Sequence, residues 1–379
     1  MQIHKTTYDG KTHYLFLDDE ERIVELPTDF FRSLVTNKTK KLADKTLDRY
    51  AEKNRDLGTF LEHHPVYGSV RLDDAIAMIR RPVLQDFFNS LATHQASPTI
   101  KLAEAAVRKF MDWLNTDEAH YVHERPVYPQ NSAGLVAAPT RKMPRSLNAD
   151  QVIALIIGAH FEAQRIAVQF MYDTGVRVSE VPRILKKDLP DWRHFPEGTM
   201  YFPLFVRGSK GRNKEYKERN TIISRPMLSR MAKYHNTHGY LFNFAFEEDE
   251  KPALLNVFNE PWTEKALQAM VTRAGNRAGL ANASPHKLRH GTAFSIATSE
   301  LGSSLLENLV LVQQMFGHSS IETTETTYSN IPAIIQQRLY DKQNTDTART
   351  VFEEAQRIFD ATYRPQKREP TKKRIGKKS

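Results

Sequence analysis

Apolar residues recur every three to four positions along most of the chain, the spacing that gathers them on one helical face. Leu42, Leu47, Tyr50, Leu57 and Phe60-Leu61 mark a first amphipathic helix within residues 39–115. Residues 72–79 and 83–91 form a helical pair broken at Pro82. Ser97-Pro98 caps a third helix, with Ile100, Ala103, Val107, Phe110, Met111 and Leu114 along its face. The pattern predicts a small helical bundle. Residues 1 to about 33 read instead as a small β meander. Asp9-Gly10 is a strong hairpin turn between residues 3–8 and 11–17, and Asp18-Asp19-Glu20-Glu21 makes a second turn before residues 22–26.

Residues 116–146 read as a linker, with Pro126, Pro129, Pro139, Pro144, Ser132 and Gly134, and with Arg125, Arg141, Lys142 and Arg145 adding positive charge. A second domain begins near Leu147. Asn148 or Ser146 can cap a helix through Val152, Leu155 and Ile156. The apolar run 166–172 stops at Gly175, and Arg177 opens the next predicted helix. Residues 200–206 and 217–223 read as two strands around a glycine-flanked cationic turn, residues 207–214. Residues 243–261 are an acidic, proline-marked insertion, expected to lie away from any polyanion, and 262–278 are helical. Further helices are predicted at 333–340 and 347–361. The last carries an apolar strip of Val351, Ala355, Ile358 and Phe359, which fits docking on a second copy as well as folding back. The fold class is mainly α with small β elements.

Length and composition narrow the picture. The 379 residues suffice for two or three domains, and a 40% hydrophobic content can fill real cores. With no cysteine, disulfides and thiolate metal sites are excluded, which suits a reducing cytosol. No apolar run approaches the ~18 residues of a membrane span, and no secretory apolar segment opens the chain. A cytoplasmic location without membrane attachment is the expectation. The net charge is +9, but residues 364–379 hold eight basic side chains against one acidic, which is +7 and leaves only +2 elsewhere. The charge of the body is thus weak evidence for a nucleic-acid partner. The tail, with Lys372-Lys373-Arg374 and Lys377-Lys378, is expected to be disordered. An electrostatic arm along phosphates and a plain solubilising end both fit it.

Candidate chemistry concentrates between Ser284 and Tyr328. Ser284 suits an N-cap and Pro285 the first helical position. His286 and Arg289 then share a face in the first turn, beside the positive end of the helix dipole. An arginine fork matches two phosphate oxygens at once. The segment closes with Phe316-Gly317-His318 and, ten residues on, Tyr328. His286 and His290 have the spacing of a helical zinc pair, but Lys287 stands where that motif needs a Glu. A solvated helical face and packing tyrosines are the bland alternative. A second stretch, Asp173-Thr174-Gly175-Val176-Arg177-Val178-Ser179-Glu180, adds weight to the first reading. Glu180 fits either a carboxylate orienting a basic partner or a charge favouring a helix N-terminus.

Taken together, Thr-Gly-x-Arg-x-Ser-Glu, His-x-Leu-Arg-His, Gly-His and Thr-Thr before a Tyr resemble the tyrosine recombinase (phage integrase) family, in the same order, over residues of about 140–335. Two positions depart from the family pattern. Phe316 stands where Leu is usual, and His318 to Tyr328 spans ten residues rather than the more frequent nine.

The resemblance implies a two-domain DNA clamp. Residues 36–116 would be the helical core-binding domain, 117–146 the linker, 147–345 a mixed α/β catalytic domain, 346–363 a C-terminal helix and 364–379 a basic tail. Residues 1–35 would be either an arm-type DNA module or a decoration packed on the bundle. Lys40, Lys41 and Lys101 are candidate phosphate contacts of the core-binding domain. The implied activity is site-specific DNA recombination through a 3′-phosphotyrosyl intermediate, with no metal, ATP or other cofactor. Tyr328 would be the nucleophile, Arg177 and Arg289 the phosphate clamp, and His286 and His318 hydrogen-bonding or proton-moving partners. Lys210 in the cationic turn would be the acid for the leaving 5′ oxygen, with Lys214 as runner-up. The implied partners are double-stranded DNA bearing a specific site, a homotetramer on synapsed DNA, and accessory DNA-bending or recombination proteins. A type IB topoisomerase-like enzyme and a catalytically silent DNA-binding protein are the alternatives on the same scaffold.

Overall fold

The computed structural model describes residues 1–37, 42–119, 126–129, 132–138, 145–208, 218–299, 301, 304–317 and 351–364. Lys40, Lys41, the 333–340 helix and the tail beyond Arg364 lie outside these described residues. The chain divides into two compact units, Met1–Arg141 and Lys142–Ser379, with the division inside the expected linker.

The first unit opens with an antiparallel hairpin, β1 (Gln2–Tyr8) and β2 (Lys11–Leu17), in which Gln2 faces Leu17 and Tyr8 faces Lys11. Asp9 and Gly10 both take positive φ, the geometry a two-residue hairpin turn needs. The third strand expected at 22–26 is not formed. Only Ile23 bridges to Leu17, and helix α1 (Glu25–Thr36) takes over. The reason is in the sequence that follows. Leu26, Phe30, Phe31, Leu34 and Val35 are buried at helical spacing. Pro27 sits in the first turn, where its missing N–H costs no helical bond. The carboxylate of Asp73 accepts from the amides of Glu25 and Leu26, both at 2.9 Å.

Four more helices complete the bundle: α2 (Asp44–Glu62), α3 (Leu72–Ala77), α4 (Arg81–Ala92) and α5 (Ser97–Leu114). Pro82 begins α4 rather than merely ending α3, and Ala96, not Ser97, holds the cap position of α5, without a side-chain bond. Tyr14 and Phe16 of β2 share one core with Phe31, Leu57, Phe87 and Phe110, so the hairpin packs on the bundle. Part of the expected linker packs there too. Val127 and Tyr128 are buried in this core, and Glu104 accepts from the amides of Leu135 and Val136. Lys101, a candidate phosphate contact, instead pairs with Glu104 at 2.5 Å and donates to the Val136 carbonyl at 2.8 Å.

The second unit begins with α6 (Ala149–Ile157), capped by Asn148 in a reciprocal box with Gln151. Helix α7 (Glu162–Thr174) stops at Gly175, whose φ of 63° is left-handed. The helix expected after Arg177 is replaced by a tight turn and a short 3-10 helix, Val181–Arg183. Pro182 lacks the N–H that a continuing α-helix would use. Strands β3 (Tyr201–Val206) and β4 (Arg219–Ser224) pair antiparallel, with Val206 opposite Arg219. Ser224 caps α8 (Arg225–His235), and a single turn, α9 (His238–Leu241), follows.

The acidic stretch 243–261 is knitted into this unit. Ala253, Leu254 and Leu255 are buried in its core, the Ala253 amide donates to the Ile184 carbonyl at 2.8 Å, and Lys186 pairs with Glu248. Then come α10 (Glu264–Arg277), α11 (Pro285–Ala297), α12 (Leu305–Phe316) and α13 (Val351–Thr362). Helix α13 folds back on α6, α7 and α8. Ile358 enters the core, and the Tyr172 hydroxyl donates to Glu354. The fully buried Arg230 joins Glu162 at 2.7 Å and Gln169 at 2.6 Å to the Thr362 hydroxyl at 2.8 Å. No helix among the described residues is long and apolar enough to cross a membrane.

Candidate active site

Three chain segments converge in the second unit. The first follows α7. Gly175 turns the chain, and a Cβ there would lie 2.6 Å from the Phe316 ring, so a side chain is excluded by space as well as by φ. Arg177 comes next. Its amide donates to Glu180 Oε2 at 2.7 Å and its Nη1 to Glu180 Oε1 at 3.0 Å. Its side chain stays 38% exposed, so it can still meet a ligand.

The second segment is the start of α11. Ser284 Oγ accepts from the Lys287 amide at 3.4 Å and Pro285 is the first helical residue, as the sequence predicts. Arg289 is buried. Its Nη1 donates to the Gly175 carbonyl and its guanidinium lies 3.8 Å from the centre of the Phe316 ring. The ring at the position where Leu is usual in the family thus forms a shelf under the arginine.

The third segment is the carboxyl end of α12. Its Phe316 carbonyl accepts from Arg289 Nη2 at 2.8 Å and from Arg177 Nη2 at 3.2 Å. Gly317 ends the helix with φ 60°, immediately before His318. Two guanidinium groups are therefore held around one oxygen, with Arg177 open to solvent. That arrangement can accept an anion that brings more than one oxygen, such as a phosphodiester.

His286 occupies the exposed side of α11, and its Nε2 lies 2.9 Å from His290 Nε2. Partial burial and the charge of Arg289 hold His286 below the ordinary histidine range. It therefore favours the neutral imidazole, which can donate from one nitrogen and accept at the other. Among the described residues no cluster of three metal-ligating side chains occurs. Lys210, Lys214, His318 and Tyr328 lie outside the described residues. Of the six predicted catalytic side chains, Arg177 and Arg289 are seen together, with His286 one turn from Arg289.

Sequence reasoning missed Arg219. From β4 it donates Nη1 to Glu180 Oε1 at 2.7 Å, Nη2 to Oε2 at 2.8 Å, and Nε to the Met315 carbonyl at 2.6 Å. Burial pushes the Glu180 carboxyl up, but the bonds from Arg219 and then from Arg177 outweigh it and bring the group down to about 2. Nothing local distinguished Arg219 from an ordinary charge at a strand end.

Residues 145–333 match the phage integrase family, and the chain belongs to that family through this region. Among curated relatives, the tyrosine recombinase XerC of Chlamydia trachomatis serovar L2 is 23% identical over 260 residues, 66% of this chain and 73% of its own. Transposase A from transposon Tn554 of Staphylococcus aureus is 22% identical over 362 residues, 87% of this chain and 94% of its own. Among solved structures, a post-cleavage complex of the XerH site-specific recombinase with palindromic difH DNA shares the fold. It has a TM-score of 0.58 and 18% identity over 79% of each chain.

Proposed function

We propose that this chain is a site-specific DNA recombinase that breaks and rejoins strands through a phosphotyrosine. The observation that carries the reading is the shared acceptor of Arg177 and Arg289, which puts both guanidinium groups around one point in a member of this family. The scissile phosphate binds beside that carbonyl, on the solvent-open side of Arg177. Tyr328 attacks phosphorus, forming the phosphotyrosyl bond as the bond to the 5′ oxygen breaks. Lys210 protonates that oxygen. A phenol of pKa ~10 is a poor nucleophile at neutral pH. The guanidinium pair lowers the cost of phenolate and stabilises the charge of the pentavalent transition state. His286 and His318 hydrogen-bond the non-bridging oxygens or accept the phenol proton. The covalent step conserves the energy of the broken bond, and a 5′ hydroxyl from another strand reverses it. The fixed cations do the electrostatic work for which other phosphoryl-transfer enzymes use metal ions.

The partner is double-stranded DNA carrying a recombination site, and the working assembly is a tetramer on two synapsed sites in the cytoplasm. The XerH–difH complex, captured after cleavage, supports the DNA partner by analogy of fold. The test is covalent capture. DNA retained from a genomic library by the Tyr328→Phe protein is sequenced to find the site, and that site is then offered as a nicked duplex. The unaltered protein is expected to form a detergent-resistant adduct, whereas Tyr328→Phe binds the duplex without forming one. Equal adduct formation by both proteins would remove Tyr328 from the reaction.

A further inference from the structure

Glu180 is one carboxylate between two guanidinium groups, and both of its oxygens are in use. Arg219 takes the better geometry, a two-pronged contact at 2.7 and 2.8 Å, and is itself almost fully covered. Arg177 makes the longer side-chain bond, 3.0 Å, through Nη1 alone, and its Nη2 is aimed at the Phe316 carbonyl. A lone Arg177–Glu180 pair would be neutral and would offer little attraction to a phosphate. With Arg219 present the trio carries a net positive charge, and its exposed member is Arg177.

Arg219 also bridges segments. It is the first residue of β4 and stands nine residues after Lys210 in the sequence. Its Nε holds the Met315 carbonyl, and its Cδ would lie 3.0 Å from a Cβ placed on Gly317, the residue before His318. One side chain thus ties β4, the Arg177 turn and the end of α12.

We propose that Arg219 is a positioning residue for strand cleavage, which engages Glu180 so that Arg177 stays electropositive toward the scissile phosphate and which fixes β4 against the α12 terminus. The proposal rests on the recombinase reading of the site. It divides the role of Arg219 into a charge part and a geometric part, which different substitutions separate. Arg219→Gln removes both. Arg219→Lys restores the charge without the fork. Adding Glu180→Gln to Arg219→Gln removes the carboxylate that would otherwise neutralise Arg177.

The experiment uses the full chain and a nicked duplex carrying the site recovered with Tyr328→Phe. It reads the single-turnover rate of covalent capture, the equilibrium affinity for the same duplex, and the melting temperature. Arg219→Gln is expected to slow capture roughly 10- to 100-fold, the scale seen when an outer support of a reactive site is lost, with duplex affinity changed by less than about threefold. Arg219→Lys and the Arg219→Gln/Glu180→Gln double variant are both expected to capture about tenfold faster than Arg219→Gln. Wild-type rates in Arg219→Gln would overturn the proposal. So would an Arg219→Lys protein that is folded and as slow as Arg219→Gln, or a double variant with no recovery. If Arg219→Gln melts below the assay temperature, the decision falls to Arg219→Lys against the unaltered protein. A lysine variant within about tenfold of wild type supports the charge role, and one slower than about 100-fold overturns it. Failure of the unaltered protein to capture DNA is a different result, and it would sink the recombinase reading itself.

Discussion

Arg177 and Arg289, on segments far apart in the chain, donate to the same oxygen, the carbonyl of Phe316, at 3.2 and 2.8 Å. A lysine can carry the charge of either residue but not its fork, because an ammonium on a flexible stem cannot hold two acceptors in one plane. Arg177→Lys and Arg289→Lys should each slow covalent capture by roughly 10²–10³, the scale of losing one donor at a developing negative charge. Affinity for the intact duplex should hardly change, since a protein that binds a duplex neutralises many phosphates and the charge is kept at the one in question. Gel-shift and capture assays on the same protein preparations check both halves.

Phe316 gives Arg289 its shelf. Phe316→Leu keeps an apolar side chain but removes the π face beneath the guanidinium. A loss of about 1–2 kcal/mol is expected from the lost cation–π contact and the smaller side chain. Urea denaturation measures it. An unchanged midpoint would mean that neither the face of the ring nor its volume supports this corner.

Gly291 sets two physical effects against each other. It lies inside α11, where alanine should gain ~1 kcal/mol over glycine. Yet a Cβ would sit 2.2 Å from the Leu147 carbonyl oxygen and 2.8 Å from the Tyr172 ring. The contact with backbone cannot be relieved by a rotamer change, so Gly291→Ala should cost a net ~1–3 kcal/mol. A stabilised variant would contradict the packing of α11 on residue 147 and α7.

Between pH 4 and 6, two buried groups act on stability with opposite signs. Burial pushes His235 down to about 4, despite its bond to the Ala253 carbonyl at 2.8 Å. The unfolded chain binds that proton from pH ~6.5 downward, so this contribution is present above pH ~6.5 and is lost as pH falls toward 4. Burial pushes Asp173 up to about 6, despite the two bonds it accepts from Ser224. Its contribution is full below pH ~3.9 and is lost as pH rises through 6. Each is worth up to ~3 kcal/mol, so the two largely cancel between pH 4 and 6. Asp173→Asn should therefore make the protein weaken faster on acidification, and His235→Gln should make it gain stability over the same range. Urea midpoints at pH 7, 5.5 and 4.5 decide it, and parallel curves for all three proteins would be the contrary result.

Local chemistry explains what could be read from the sequence. Ser284 and Asn148 cap helices through their own neighbours, and Gly175 stops a helix through its own φ, so each is visible in a few residues. Arg177, Arg289 and the Phe316 corner were recognisable as a set because their order along the chain matches a family pattern. Helix α1 was misread because its first amides are satisfied by Asp73, far along the chain, and because Pro27 looks like a breaker until it is seen in a first turn. The place of α13 and the role of Arg219 were invisible for the same kind of reason. An apolar strip does not name the surface it meets, and a strand arginine does not name its carboxylate.

The most direct measurement is a double-variant cycle on the single-turnover capture rate, using Arg177→Lys, Arg289→Lys and the two combined. If both arginines grip one phosphate as a unit, the combined loss should be far smaller than the product of the separate losses, as for other residues that act together. Losses that multiply in full would mean that the two guanidinium groups work independently, and the shared site would have to be abandoned.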